Sequence, residues 1–336
     1  MCMYFTKGIN QDGYIMCLHC NMKKDMHPIY IYLFNSTSQC DDIILLIQDY
    51  IKVDIQTIVG GGSQTLLILK DNTVKSWGKH YNVPKEIQGK VISIKCDEDY
   101  CIALLNNNTI KGWGNKSKQC DVPDSIQGKV VSIECGSDFF CALFNDNTVK
   151  SWGSDWYGQC KTPYFIQGKV KSIKCGADFS VALLNDDTIR CWGSNYCGQL
   201  DIPKEIQSND IGDVVSIECG YHHSIALLNN NSIKCWGNNY YGQCDVPDSI
   251  QSNNINTIVS IKCGKYHSIA LLSNGMIKCW GDNRYEQCNV PDSIQGRVVL
   301  IECGAFHSIA FLNNDTIKCW GQNFSKQCNV PNSIQV

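Results

Sequence analysis

No apolar run in this sequence approaches the roughly 18 residues that a membrane helix needs, and the N-terminal MCMYFTKGINQDGYIMC has no apolar core followed by a small-residue cleavage site. Neither a membrane partner nor export is expected. Charge is also sparse: charged residues make up 18% of the chain, the formal net charge is −3 and the pI is near 6.1. Such a balance offers no electrostatic reason for tight, sequence-independent attachment to phosphate backbones, so nucleic acid is an unlikely partner. A third absence concerns chemistry. Catalysis needs a nucleophile with a base, a metal set or paired carboxylates, and one site needs unlike groups that would break any repeat. No such singular constellation stands out, so the reading is a protein that is not an enzyme and uses no cofactor.

What the chain does contain is a unit copied along its length. A tryptophan-glycine pair recurs at Trp77, Trp113, Trp152, Trp192, Trp236, Trp280 and Trp320, spaced 36, 39, 40, 44, 44 and 40 residues apart. Self-similarity at that period marks one supersecondary unit per copy, and one ring or solenoid can absorb all 336 residues. Hydrophobic residues at 43% are enough for a buried core.

The unit is clearest at Ile217 to Gln251, IECGYHHSIALLNNNSIKCWGNNYYGQCDVPDSIQ. The residue 17 before each tryptophan is small: Gly60, then Cys96, Cys135, Cys175, Cys219, Cys263 and Cys303. That register implies a VVSIEC-like strand, an HSIALLN-like strand and a SIKCWG-like strand, the last two joined by an Asn- or Asp-rich hairpin turn. A fourth, poorer strand is expected around QCDVP, where proline suits an outer edge. The fold class read from this pattern is all-β, a seven-bladed β-propeller of four-stranded antiparallel blades over residues 53–336, since a closed ring leaves only short, protected strand edges. The four-residue extensions after Pro203 and Pro247 belong in surface loops. Residues 1–52 form a divergent N-terminal segment with a hairpin-like extension that completes a blade, caps a face or is a decayed repeat.

Twenty-two cysteines raise the question of disulfides. Beyond the column already named, one column precedes the tryptophan (Cys191, Cys235, Cys279, Cys319) and one follows the glutamine (Cys120, Cys160, Cys244, Cys288, Cys328). The first and second columns lie two strand spacings of about 4.8 Å apart, too far for a bridge. Pairing the first with the third would strand Cys175. The cysteines therefore read as reduced, small apolar fillers in a reducing, intracellular compartment. Cys17, His19, Cys20, His27 and Cys40 have metal-like spacing but not that of a standard zinc finger, so no metal is expected.

Gly220-Tyr221-His222-His223-Ser224-Ile225-Ala226-Leu227, Ile233-Lys234-Cys235-Trp236-Gly237-Asn238-Asn239 and Gly242-Gln243 resemble the unit of the regulator of chromosome condensation repeat family, over about residues 53 to 336. The resemblance implies a seven-bladed propeller. The name-giving member is an exchange factor for a small GTPase and binds chromatin, through a wedge inserted in one blade and a basic tail; this chain has no such insertion, and its N-terminus offers only Lys7, Lys23 and Lys24.

In an up-and-down blade the loop after strand one and the loop after strand three emerge on one side. The first set is acidic in blades 2 to 4 (Asp99, Asp138, Asp178), a solvated rim or, less favoured, a cation site. In blades 5 to 7 it is aromatic with histidine: Tyr221, His222, Tyr266 and Phe306. The second set adds Trp156, Tyr157, Tyr196, Tyr240, Tyr241, Tyr285 and Phe324. Aromatic residues dominate binding hot spots because they bury much area at low entropic cost. The residues expected to touch a partner are Trp156, Tyr157, Tyr196, Tyr221, His222, Tyr240, Tyr241, Tyr266, Tyr285 and Phe306. His223, His267 and His307 are framework positions in the resembling family and are expected to brace blades. The function expected is a non-catalytic scaffold docking a protein partner on one face; the alternative is guanine-nucleotide exchange on a small GTPase.

Overall fold

The computed structural model describes residues 55–79, 81–114, 121–207, 212–251, 257–332 and 334, all within Ile51–Val336, one of the two units into which the chain divides. The hairpin expected in residues 1–52, and Cys17, His19, Cys20, His27 and Cys40 with it, lie outside the described residues.

Seven antiparallel sheets of three strands follow one another. Blade 1 is Ile55–Gly60, Gln64–Leu69 and Val74–Gly78; blade 2 is Val91–Cys96, Tyr100–Leu105 and Ile110–Gly114; blade 3 is Val130–Cys135, Phe139–Phe144 and Val149–Gly153. Blade 4 is Val170–Cys175, Phe179–Leu184 and Ile189–Gly193; blade 5 is Val214–Cys219, His223–Leu228 and Ile233–Gly237; blade 6 is Ile258–Cys263, His267–Leu272 and Ile277–Gly281; blade 7 is Val298–Cys303, His307–Leu312 and Ile317–Gly321. The second-to-third hairpin in each blade places one residue in the left-handed region: Asn72, Asn108, Asn147, Asp187, Asn231 and Asp315, with Gly275 in blade 6. Only residue types that tolerate that conformation occur there.

The middle strands are buried on both faces, because the apolar cores lie between blades rather than within them. Phe179, Val181, Leu183 and Ile189 of blade 4 pack with Ile217, Ala226, Leu228 and Trp236 of blade 5. A blade alone cannot cover its faces, so the repeat must be tiled and the tiling closed. Closure is visible: Trp77 of blade 1 donates its indole N–H to the carbonyl of Gln327 beyond blade 7 at 2.9 Å. The same bond ties Trp192 to Gln159, Trp236 to Gln199, Trp280 to Gln243 and Trp320 to Gln287, while the indoles of Trp113 and Trp152 show no partner among the described residues. The arrangement is that of a seven-bladed β-propeller.

Among the described residues no blade has a fourth strand, which corrects the expectation of four-stranded blades. In blade 5 the chain after the third strand turns through Gly242 at φ +74°, and its amide donors are consumed locally, Asp245 N–H by Gly242 O and Val246 N–H by Cys244 O. Pro247 follows and has no donor. A side chain takes over at the edge instead. Gln167 accepts from Val149 N–H at 2.8 Å and donates to Val149 O at 2.9 Å, and Gln88, Gln127 and Gln295 do the same to Val74, Ile110 and Ile277. In these four units the recurrent Ile-Gln is thus an edge cap, whereas Gln207 donates to Ile202 O instead.

The first strands line the axis and carry a belt of alternating charge: Lys95, Glu134, Lys174, Glu218, Lys262 and Glu302, in blades 2 to 7. Their contacts run 3.0, 3.2, 3.3, 3.2 and 2.8 Å in that order. Burial alone would raise the Glu218 carboxyl, but Lys174 and Lys262 on either side overcome it and hold it at about 2. An odd ring cannot alternate sign throughout, and blade 1 resolves the mismatch with the neutral Val59.

Candidate interaction face

Backbone bonds between successive blades narrow the mouth of the axial channel: Ser137 N–H to Ala177 O, Ala177 to Tyr221, Tyr221 to Lys265, Lys265 to Ala305, Ala305 to Gly61 and Gly62 to Asp97. At that mouth lies a cavity of about 130 Å³ lined by the first cysteine column, its neighbouring glycines and the bonded loop residues, room for about four waters.

Each first-to-second loop is shaped by the residue that opens the middle strand. In blades 5 to 7 this is a fully buried histidine, whose Nε2 lies 3.0 to 3.1 Å from a hydroxyl of the next blade: His223 to Ser268, His267 to Ser308, His307 to Thr65. Those hydroxyls donate to the carbonyls of Gln243, Gln287 and Gln327, so Nε2 carries the proton and Nδ1 has no partner among the described residues. Burial pushes the three imidazoles down, to about 3, 4 and 3 for His223, His267 and His307. They are neutral braces and do not reach the surface. The rings lie on Gly220, Gly264 and Gly304, where a Cβ would collide with them. Phe139 and Phe179 fill the same place in blades 3 and 4, and Tyr100 in blade 2 sends its hydroxyl to Asp138 at 2.7 Å.

The brace sets the loop before it, so the next residues outward converge. Tyr240 meets Tyr241 (4.9 Å between ring centroids), Tyr241 meets Tyr266 (5.2 Å), and Tyr266 meets both Tyr221 (5.7 Å) and Phe306 (6.0 Å). Phe306 continues to Tyr285 and Tyr285 to Phe324. One uninterrupted chain of rings thus spans blades 5, 6 and 7. Two cations sit in it. Lys265 Nζ lies 4.1 Å over the Tyr221 ring and reaches Glu98 of blade 2 at 2.6 Å. Burial works against its ammonium, but Glu98 more than offsets this and holds the group above its ordinary range. Arg284 stacks over Tyr241 at 4.4 Å while its fork grips the buried Asp282 at 2.9 and 3.1 Å. Cations over aromatic faces at such distances are attracted by the ring quadrupole, more strongly for the half-buried Lys265 than for the exposed Arg284.

Residues 130–159, 170–199, 214–243, 258–287 and 298–327 match the profile of the "Regulator of chromosome condensation (RCC1) repeat". Each match runs from a first strand to the glutamine whose carbonyl receives the next blade's tryptophan. The chain carries regulator of chromosome condensation repeats. None of the curated proteins matches the sequence. Solved structures similar to it include Prp20p from Saccharomyces cerevisiae (18% identity, 76% of this chain and 81% of that chain covered, TM-score 0.64). Others are the ectodomain of the Physcomitrella patens receptor kinase CR4 (20%, 79% and 72%, 0.61) and human WBSCR16 (20%, 77% and 87%, 0.60). At these identities the likeness concerns the propeller fold alone.

On this RCC1-type ring the expected contact residues fall into two groups. Tyr221, His222, Tyr240, Tyr241, Tyr266, Tyr285 and Phe306 are joined in the chain of blades 5 to 7, with His222 packed on Tyr221 at 4.5 Å. Tyr157 and Tyr196 form a separate edge-to-face pair at 5.6 Å, and Trp156 stands 88% exposed on blade 3. Sequence reasoning passed over Lys265 and Arg284. Arg284 was legible, because it occupies the turn position held by Trp156, Tyr196, Tyr240 and Phe324 in neighbouring repeats. Lys265 was not, since its carboxylate partner is 167 residues away. The acidic half carries bonds of its own, Asp99 accepting from the Tyr81 hydroxyl at 2.8 Å and pairing with Lys79 at 3.4 Å.

Two bridges were not foreseen. Cys96 is joined to Cys101, across the first hairpin of blade 2, and Cys235 to Cys244, which links the second and third columns within blade 5. The expectation compared the first column with each of the others and did not compare those two with one another. Thirteen other cysteines among the described residues are free, so the reduced reading holds for most of them.

Proposed function

We propose that this protein is a non-catalytic scaffold that docks a protein partner on the face formed by blades 5 to 7. The observation that carries this reading is the unbroken ring chain from Tyr240 to Phe324, with Lys265 and Arg284 set in it and both cations internally paired. Such a surface offers large, rigid contact area whose charges are already neutralised, so a partner buries it without stranding a cation. Tyr240 and Phe324 are each 82% exposed, which suits anchors that enter pockets on the partner. The free thiols support an intracellular setting.

Affinity isolation with in-cell cross-linking should recover a partner with the wild type and lose it with the Tyr241→Ala, Tyr266→Ala double variant, since hot-spot truncation costs about 2 kcal/mol or more, roughly 30-fold in affinity. A Tyr164→Ala, Phe165→Ala variant, altered at an exposed pair outside this chain of rings, should behave as wild type. Equal recovery by all three overturns the reading. The second reading follows from one relative: Prp20p is described with binding properties to Gsp1p and histones. Accelerated nucleotide release from a small GTPase by this chain would favour exchange activity over the scaffold.

A further inference from the structure

Blades 5 to 7 differ from the others in having cysteine both before the tryptophan and after the glutamine: Cys235 and Cys244, Cys279 and Cys288, Cys319 and Cys328. In blade 4 Cys191 packs instead with Leu200, and in blade 3 the residue before the tryptophan is Ser151. The three turn cysteines share one geometry. The turn cysteines Cys244, Cys288 and Cys328 direct their sulfurs at the carbonyls of Asn238, Asp282 and Gln322, at 3.6, 3.4 and 3.4 Å. The strand cysteines Cys235 and Cys279 point at Gln243 O and Gln287 O. Blade 5 shows the pair joined, with Cα atoms 5.1 Å apart, and blade 6 shows the same pair as thiols in contact, Sγ to Sγ 3.0 Å. The 5.1 Å Cα separation in blade 5 lies within the range a bridge spans without backbone movement, and in blade 6 the two sulfurs already touch.

We propose that these three cysteine pairs are sites of reversible thiol–disulfide exchange with a small-molecule disulfide, one dithiol per blade. The covalent tie falls where the missing fourth strand would have held the turn to the third strand. In blade 6 the turn thiolate of Cys288 attacks a sulfur of oxidised glutathione; a Cys288–glutathione mixed disulfide forms and one glutathione thiolate leaves. Cys279 then gives its proton to water and attacks the Cys288 sulfur, expelling the second glutathione. The protein dithiol loses two electrons and one glutathione disulfide becomes two thiols. Burial pushes the Cys279 thiol up, so this second step is slow at neutral pH and quickens as pH rises. The inference does not depend on the docking face.

The test incubates the full chain in glutathione buffers of stepped ratio, blocks free thiols with an alkylating agent and reads the peptides by mass spectrometry. The expected result is that Cys279 and Cys288 lose their labels together and appear as one linked pair, as do Cys235 with Cys244 and Cys319 with Cys328. Cys160 and Cys191 should keep their labels at ratios where the pairs have closed. The Cys279→Ser variant carries the serine already present at Ser76 and Ser151, and in it Cys288 should accumulate a stable glutathione adduct. Linkage of these residues to the first cysteine column, no Cys279–Cys288 link at the most oxidising ratio, or an unmodified Cys288 in the variant would each overturn the proposal.

Discussion

At the scale of single residues, the histidine column ties architecture to acidity. His223, His267 and His307 are neutral in the fold and would protonate near 6.5 when unfolded, so the unfolded chain binds up to three more protons below that pH. Asp97 acts in the opposite sense. Burial first, and repulsion from Glu98 second, raise it to about 7 from 3.8, so the folded chain binds one more proton between those values. Between about pH 4.5 and 6 these four groups leave a net uptake of about two protons on unfolding, and their joint contribution to stability falls by about 2.7 kcal/mol for each unit of acidification. Denaturant titrations across that range should show the decline. His267→Phe, which installs the residue found at Phe139 and Phe179, should reduce the slope by about 1.4 kcal/mol per unit; an unchanged slope would mean that His267 is protonated in the fold. Gly264→Ala, driving a Cβ into the His267 ring, should cost about 1–3 kcal/mol in the same assay.

At the scale of the blade, the three strands were readable because their β-branched and apolar residues alternate with the pleat. The fourth strand was misread because the QCDVP stretch has the composition of a poor edge strand while its turn geometry spends the amides internally. The charge belt was present in the text as SIKC alternating with SIEC from repeat to repeat, a signal found only by comparing copies. It also makes a prediction. Glu218 touches Lys174 and Lys262 together, so Glu218→Leu should leave two partly buried ammonium groups short of a counter-charge and cost about 2 kcal/mol, measured as a loss in the chemical denaturation midpoint. A change under about 0.5 kcal/mol would show that the belt is solvated.

At the scale of the molecule, closure is what converts separate loops into a surface. Tyr241 follows the third strand of blade 5 and Tyr266 precedes the second strand of blade 6, and they meet only because the Trp280 indole and the Ser268 hydroxyl both hang on Gln243 O. The rings themselves were legible as residue types at repeat positions; their continuity, and the Lys265–Glu98 contact between blades 6 and 2, required the ring. The measurement that tests the docking face most directly is hydroxyl-radical footprinting of the protein with and without the partner recovered by affinity isolation. Tyr240, Tyr241, Tyr266, Tyr285, Phe306 and Phe324 should lose label in the complex while Tyr164 and Phe165 keep theirs. Unchanged labelling of the six, with protection elsewhere on the ring, would contradict the assignment.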